Sequence, residues 1–428
     1  MFLTRPRDGA RKEHRKVDQV VEPTAEQHAA ARPVERRLLT PGVWALLTLA
    51  FVGLCFGLYR FIFGLSAATN LSQSHPWGLW IAVDVASGVA LAAGGFTTAF
   101  LAHVLHRESY HAIVRPALLT AMLGYTFVVI GLMADLGRYY NVWHPMFMWQ
   151  GNSVLFEVGM CVMCYLTVLY LEFAPIVCER LTGQRRFPRV ARLAGRLNRA
   201  FGRIMFLLII AGCVLSCLHQ SSLGSLMVIA PTKTHELWWS PFSPLLFLLS
   251  AIAVGFPMVI FESLLASWSL RLKPELPLLA RLARFIPFTL GIYLVAKVAD
   301  MLWRGTWRVL GDGSIQSASW MIEMLGGVII PMVILMSARR RSSRGWLAVA
   351  ATLVVLGVVL NRVNAFLVGY QPPFADSAYF PSVGEFAVTI GLIATLMIVY
   401  RVCVTYLPVI THEPAEEKVP AGAQLCAV

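Results

Sequence analysis

Apolar residues along this 428-residue chain come in long stretches broken by short polar ones. A hydrocarbon core of ~30 Å asks about twenty apolar residues of a helix that crosses it. Ten such spans are predicted, near 42–65, 79–103, 116–135, 151–176, 203–226, 242–265, 283–303, 317–337, 345–368 and 382–407. The pattern therefore predicts an all-α integral membrane protein, with one transmembrane domain over 41–408 between polar tails at 1–40 and 409–428. A weak internal similarity divides the spans into two four-helix bundles flanked by one helix on each side. Asp135 and Arg138 close the third span, as Asp300 and Arg304 close the seventh. Ser153 and Glu157 open the fourth, as Ser317, Ser319 and Glu323 open the eighth. Spans four apart run in the same direction, so such a repeat would be parallel.

Composition agrees: 57% of residues are hydrophobic and 14% charged, against roughly 25% charged in soluble domains. A water-soluble protein is excluded. The net charge of +13 does not point to nucleic acid, because the basic residues lie in short runs between spans. Lys and Arg are retained on the cytoplasmic side during insertion. With the N-terminus there, all but seven of the 36 Lys and Arg are cytoplasmic, the exceptions being Arg60, Arg138, Lys233, Lys297, Arg304, Arg308 and Arg362. Both termini are thus expected in the cytoplasm. The first span follows a forty-residue tail and reads as a retained anchor rather than a cleaved export signal. The tail itself is polar and aperiodic and is expected to be disordered near an anionic leaflet. Val190, Leu193, Leu197 and Phe201 recur at helical spacing among Arg189, Arg192, Arg196 and Arg199, which predicts a basic amphipathic helix lying on the inner surface.

A charge within lipid costs at least ~2.5 kcal/mol on insertion scales, so ionisable residues inside spans usually face the protein interior. In this orientation Asp84, Asp135, Arg138, Glu157, His219, Lys297, Asp300, Arg304, Glu323, Arg362 and Glu385 all fall in the outer half or at its border. Local pairs account for some of them, Asp300 with Arg304 at i,i+4 and Asp135 with Arg138 at i,i+3. Eleven groups of both signs on one side exceed what helix packing needs, and an outward-facing polar cavity is the expectation. Above it lie aromatic and imidazole groups: His75, Trp77 and Trp80, then Tyr139, Tyr140, Trp143 and His144, then Trp238 and Trp239. Trp and Tyr also form ordinary interfacial belts. A flat ligand with two carbonyls, such as a quinone, would use aromatic walls with a proton donor at each oxygen. On the inner side are His103, Glu172 and Glu262. Glu172 follows Glu157 by fifteen residues, so both are expected to face one bundle interior as a proton route, the alternative being carboxylates that reach water at helix ends. Cys161 and Cys164 form a C-x-x-C inside a span with no second pair, so no metal site is expected. A transmembrane haem needs facing axial ligands; only His103 and His219 lie inside spans, on opposite sides, so no haem is predicted.

Several motifs in succession carry a family resemblance: His75-Pro76-Trp77-Gly78-Leu79-Trp80, Asp135-Leu136-Gly137-Arg138-Tyr139-Tyr140, Trp143-His144-Pro145, Ser153-Val154-Leu155-Phe156-Glu157-Val158, Leu218-His219-Gln220-Ser221-Ser222-Leu223-Gly224 and Asn361-Arg362-Val363-Asn364. From about Pro41 to Pro408 the chain resembles the NrfD/polysulfide reductase membrane-subunit family, most closely its HybB branch, the membrane subunits of quinone-reducing nickel-iron hydrogenases. The resemblance implies a haem-free, multi-pass subunit of the bacterial inner membrane. Such a subunit binds menaquinone or ubiquinone near the periplasmic side and exchanges electrons with a periplasmic ferredoxin-like iron-sulfur subunit. In this branch that subunit links it to the nickel-iron hydrogenase large and small subunits, and the membrane chain holds the quinone site but not the hydrogen-activating one.

By carry-over, Glu157 is the expected proton carrier, with Glu172 and Glu262 as an inner route. Tyr139, His144 and His219 are expected quinone contacts, and Asp135, Arg138 and Arg362 would shape the pocket. Asp84, Lys297, Asp300, Arg304 and Glu323 complete the polar cavity. Related branches serve polysulfide, nitrite and sulfite-linked chemistry. A b-type cytochrome and a repeat-built secondary transporter are the readings from other classes, the latter disfavoured because the charges lie away from the midplane.

Overall fold

The computed structural model describes residues 31–34, 36–105, 110–184, 186–373, 375 and 378–411. The expected disorder of the tails falls almost wholly outside these residues. Among these residues ten helices are long and apolar enough to cross a membrane: α1 Pro41–Phe63, α2 Trp80–Val104, α3 His111–Asp135, α4 Val154–Thr182, α5 Pro188–Val228, α6 Ser243–Leu270, α7 Leu276–Arg304, α8 Ile315–Met336, α9 Arg344–Val368 and α10 Val383–Tyr406. Their starts are written in the sequence. Pro41, Pro188, Pro244 and Pro277 occupy first turns, where a missing N–H costs nothing. Ser153, Ser314 and Ser382 cap α4, α8 and α10 with side-chain oxygens, and Ser382 with Glu385 completes a reciprocal capping box.

Helices α2 to α5 pack as one bundle and α6 to α9 as the other. The buried helix α2 joins them, touching α3 on one side, α6 and α9 on another, and α10 on a third. The two single helices that flank the bundles in sequence come together in space. Gly53 of α1 meets Gly391 of α10 so closely that a Cβ on Gly53 would lie 2.6 Å from the Gly391 Cα. A Gly53→Leu exchange should therefore cost about 1–3 kcal/mol of overpacking. Faster proteolysis of the segment before α1, at unchanged bundle stability, is the expected reading.

The chain ends also meet. Arg32 forms an isolated bridge with Ile410, the Val34 N–H donates to the Val404 carbonyl at 3.1 Å, and Arg401 donates to the carbonyls of Arg37 and Leu38. With an even number of crossings, both ends of the domain lie on one face, called here the terminal face.

Two helices differ from expectation. Helix α4 continues to Thr182, and α5 is a single helix of 41 residues. The basic stretch is therefore the first part of α5 rather than a separate helix lying on the surface. Its Ala, Leu and Arg content favours helix, and after Pro188 no proline interrupts it before Val228. Helices α2, α8 and α9 contain π-helical turns at Trp80–Ser87, Phe100–Val104, Leu325–Ile329 and Asn364–Val368. Such turns re-aim side chains and recur at functional sites. All four lie at or beside ionisable groups: Asp84 within the first, His103 within the second, Glu323 just before the third and Arg362 just before the last.

Candidate functional site

All eleven ionisable groups singled out from sequence lie in or next to the half of the protein opposite the terminal face, as the order of the spans requires. The structure divides them among separate clusters.

In the second bundle the carboxylates are saturated, and Arg362 keeps only its Nε unpartnered. Glu323 accepts from Trp238 Nε1 at 3.0 Å, Asn361 Nδ2 at 2.7 Å and Asn364 Nδ2 at 2.8 Å. Asp300 pairs with Arg304 at 2.8 Å and accepts from Ser240 Oγ at 2.6 Å. Lys297 donates to the Leu237 carbonyl at 3.0 Å. Arg362 is almost wholly buried; it donates to Ser250 Oγ at 2.8 Å and to Asn361 Oδ1 at 2.5 Å, with its guanidinium 3.9 Å from the Phe247 ring centroid. Ser250, Tyr293, Glu323 and Asn361 line a cavity with room for about one water. A quinone head group would need several times that space.

A second cluster joins α1, α2, α3 and α10. Arg60 is 2% exposed and donates to the Ala134 carbonyl at 2.5 Å and to that of Leu136. It stands 5.3 Å from the Tyr139 ring centroid and within electrostatic reach of Asp135. The expected pair of Asp135 with Arg138 is not formed. Helix α3 ends at Asp135, Leu136 is extended, and the chain carries Arg138 to the surface. Asp135 Oδ1 is buried without a hydrogen bond. Nearby, Thr389 Oγ1 donates to Asp84 at 2.6 Å, and Glu385 is fully buried between the Tyr379 hydroxyl and the Ser382 amide. Tyr379 lies in the loop before α10; burial pushes its phenol well above the ordinary range, and the bond to Glu385 adds to this. His75, in the loop before α2, stacks on Tyr379, and its burial lowers its proton affinity.

A third cluster crosses the first bundle. His219 is 1% exposed, with its ring 5.6 Å from that of Tyr125, which in turn meets Tyr165 edge-on at 4.5 Å. Both His219 ring nitrogens, Tyr125 Oη, Ser216 Oγ, Gln220 Oε1 and Glu172 Oε1 are buried with no hydrogen bond from the protein. Buried polar groups are seldom left so; Ser216 stands beside the Tyr125 and Tyr165 hydroxyls and the Val158 backbone faces the His219 ring, so helix packing brings part of this group together, while Glu172 Oε1 and Gln220 Oε1 have no hydrogen bond. Glu262, Thr120 and Tyr400 meet nearer the terminal face between α6, α3 and α10, where both hydroxyls lie within hydrogen-bonding reach of the Glu262 carboxyl.

Glu157 and Glu172 do not share a bundle interior. Glu172 is buried against Gly212, whereas Glu157 is exposed. Fifteen residues overshoot four helical turns by about 60°, which turns Glu157 to the outside. The loop above it, where Tyr140, Trp143, Phe147 and Trp149 are exposed, folds back so that Pro145 lies against Gly159, and His144 packs edge-on to Trp143 at 4.3 Å. Tyr139 and Asp135 therefore share Arg60 as a neighbour, His144 lies over the start of α4, and His219 lies deeper in the bundle. Among the described residues the hydrogen-bond partners of Arg362, namely Phe247, Ser250 and Asn361, belong to α6 and α9. Sequence reading passed over Arg60, Tyr379 and Tyr125. Only Arg60 carried a usable signal, as a lone cation at the end of an apolar span. Among the described residues no group of three metal-ligating side chains occurs.

A ten-helix membrane protein with two bundles and a buried polar network at one end is the class defined by these features. Residues 67–372 match the family described as polysulphide reductase, NrfD, and the chain belongs to that family. It is 38% identical to a protein of Nitratidesulfovibrio vulgaris over 91% of this chain and 98% of that one. It is 33% identical to the probable Ni/Fe-hydrogenase 2 b-type cytochrome subunit of Escherichia coli, over 89% of this chain and 95% of that one. To the integral membrane subunit of the menaquinone reductase of N. vulgaris the identity is 26%, over 86% and 92%.

Proposed function

We propose that this chain is the quinone-reactive membrane subunit of a multisubunit oxidoreductase, carrying electrons between an iron-sulfur partner and the quinone pool, in H2 oxidation by a nickel-iron hydrogenase. Kinship with the E. coli hydrogenase subunit and the menaquinone reductase subunit supports this reading. The observation that carries it is the contrast between the bundles: the carboxylates of the second are fully hydrogen-bonded, while Asp135 Oδ1, Glu172 Oε1 and the His219 ring of the first are buried without a side-chain partner. In this reading the termini are cytoplasmic, the protein is in a bacterial inner membrane, and the iron-sulfur partner docks on the periplasmic face beside the exposed aromatic loop.

Reducing a quinone to the quinol takes two electrons and two protons. The electrons arrive from the partner. Glu157, on the open face of α4, is placed to exchange a proton with a quinone arriving from the bilayer; Tyr139, His144, His219 and Asp135 supply contacts and donors around the head group. Glu172 and Glu262, with the hydroxyls beside them, form the route for protons from the terminal face. Asp84 and Glu385 hold the framework of α2 and α10, and Arg362 serves packing in the second bundle.

The b-type cytochrome wording of one relative raises haem. The donor set here does not fit an intramembrane bis-histidine haem. The His103 ring packs 4.8 Å from that of His111 toward the terminal face, too close for a haem iron between them, and His219 packs on Tyr125 in the other half. A reduced-minus-oxidised spectrum of the purified chain should lack a haem band, and a band would overturn the haem-free reading.

The main test is inhibition by a quinone analogue in the purified complex. His219→Leu and His144→Ala should each raise the inhibitor concentration needed by tenfold or more, about 1.4 kcal/mol of lost contact. Unchanged inhibition in both would move the site elsewhere. The catalytic subunits that copurify decide between hydrogenase and the polysulfide, nitrite or sulfite-linked branches.

A further inference from the structure

The first part of α5 is not used by the function proposed above. Glu172 lies against Gly212, and α4 and α5 run antiparallel, so Thr182 at the end of α4 stands level with residue 202. Residues 188–201 continue past that level on the terminal face, for roughly 20 Å at 1.5 Å per residue. One side is packed, with Ala194 3% exposed, while an added Cβ at Gly195 or Gly202 would meet nothing within 4 Å.

Two stripes mark this extension. Arg189, Arg192, Arg196, Arg199 and Arg203 are all exposed and fall within about a quarter of the circumference at 3.6 residues per turn. Beside them Val190, Leu193 and Leu197 are 43%, 57% and 43% exposed. Among the described residues none of the five arginines is in an ion pair; the two pairs present are Arg115 with Glu179 and Arg304 with Asp300. The segment 183–203 contains no lysine. A guanidinium presents a planar fork that matches phosphate oxygens, where an ammonium offers a point charge.

We propose that the arginine ridge of α5 binds anionic phospholipid head groups of the leaflet on the terminal face, with the extension inclined over that leaflet so that the adjoining apolar stripe meets the boundary between head groups and acyl chains. An acidic protein would account for the arginines and leave the apolar stripe unexplained. A lipid surface accounts for both, since a basic amphipathic helix buries its apolar side while its cations reach the phosphates. The bound lipid would fix how the α4–α5 hairpin leaves the membrane, at a place remote from the candidate quinone groups.

The test is native mass spectrometry of the full-length chain released from mixed micelles holding equal amounts of phosphatidylglycerol and phosphatidylcholine. The wild-type chain should retain phosphatidylglycerol selectively. Each arginine changed to glutamine should weaken retention roughly fivefold, and the variant with all five changed should retain the two lipids equally. Since every substituted side chain is exposed, its circular dichroism and melting should match wild type; an Arg→Lys set should keep part of the selectivity. Undiminished selectivity in the five-fold glutamine variant would overturn the proposal. So would displacement of the lipid by inorganic phosphate at constant ionic strength, which would assign the ridge to a soluble anion. Selectivity gained only after removal of residues 412–428, which carry Glu413, Glu416 and Glu417, would also overturn it, by making that acidic segment the occupant. None of these readouts depends on quinone chemistry.

Discussion

A Glu323→Leu variant should fail to close its second bundle. The carboxylate receives three donors, from Trp238, Asn361 and Asn364, that come from the α5–α6 loop and from α9. Leucine would leave all three unpaired in a region with room for about one water. An unsatisfied buried donor costs about 1–3 kcal/mol, and breaking a buried charged network at one member about 3–5 kcal/mol in all. A loss of that size should lower the apparent melting temperature in detergent by about 10 °C or more, or leave only aggregated protein on size exclusion. Glu323→Gln should be milder, because the amide keeps one accepting oxygen and turns the other position into a donor facing donors. Wild-type melting in the leucine variant would show that the three donors find other partners.

The second large effect is expected at Glu157, the position that the internal similarity sets beside Glu323. Glu157→Gln should lower quinone reduction by about 10²- to 10⁴-fold, the usual contribution of a positioned proton donor, while the complex assembles and melts as wild type. Stability should be spared because Glu157 is exposed and the substitution preserves its shape. Quinone reduction by the purified complex with an artificial electron donor measures the first quantity, and size exclusion with thermal melting the second. Wild-type turnover would remove Glu157 from the proton path. The two carboxylates are thus expected to fail in opposite ways, one by losing the fold and the other by losing the reaction.

What could be read from the chain follows from what each inference needed. Span number and the gathering of charge in one half need only hydropathy and the alternation of direction, and both hold in the structure. The Asp300–Arg304 pair was legible because i,i+4 geometry is local. The Asp135 environment was not: the same rule gave Arg138, but α3 ends at Asp135, and the cation beside it is Arg60, seventy-five residues earlier on another helix. The phase of Glu157 against Glu172 needed the 60° remainder as well as the turn count. The length of α5 was missed because a span was taken to end where apolar residues end. Helix, once nucleated and free of proline, continues through arginine. That the ionisable groups gather in the half opposite the terminal face follows from hydropathy and span order alone. Their division into a saturated cluster and unpartnered ones depends on tertiary contacts that no single-chain pattern encodes.

The pairing of Gly53 with Gly391 also sets a timetable. These glycines are 338 residues apart (391 minus 53), and chain elongation at ~5–20 residues per second puts roughly 20–70 s between the appearance of the two. During that interval α1 sits in lipid with its contact stripe uncovered, and only the last helix to be made can cover it. A chain cut short before α10 would therefore leave its first helix loose.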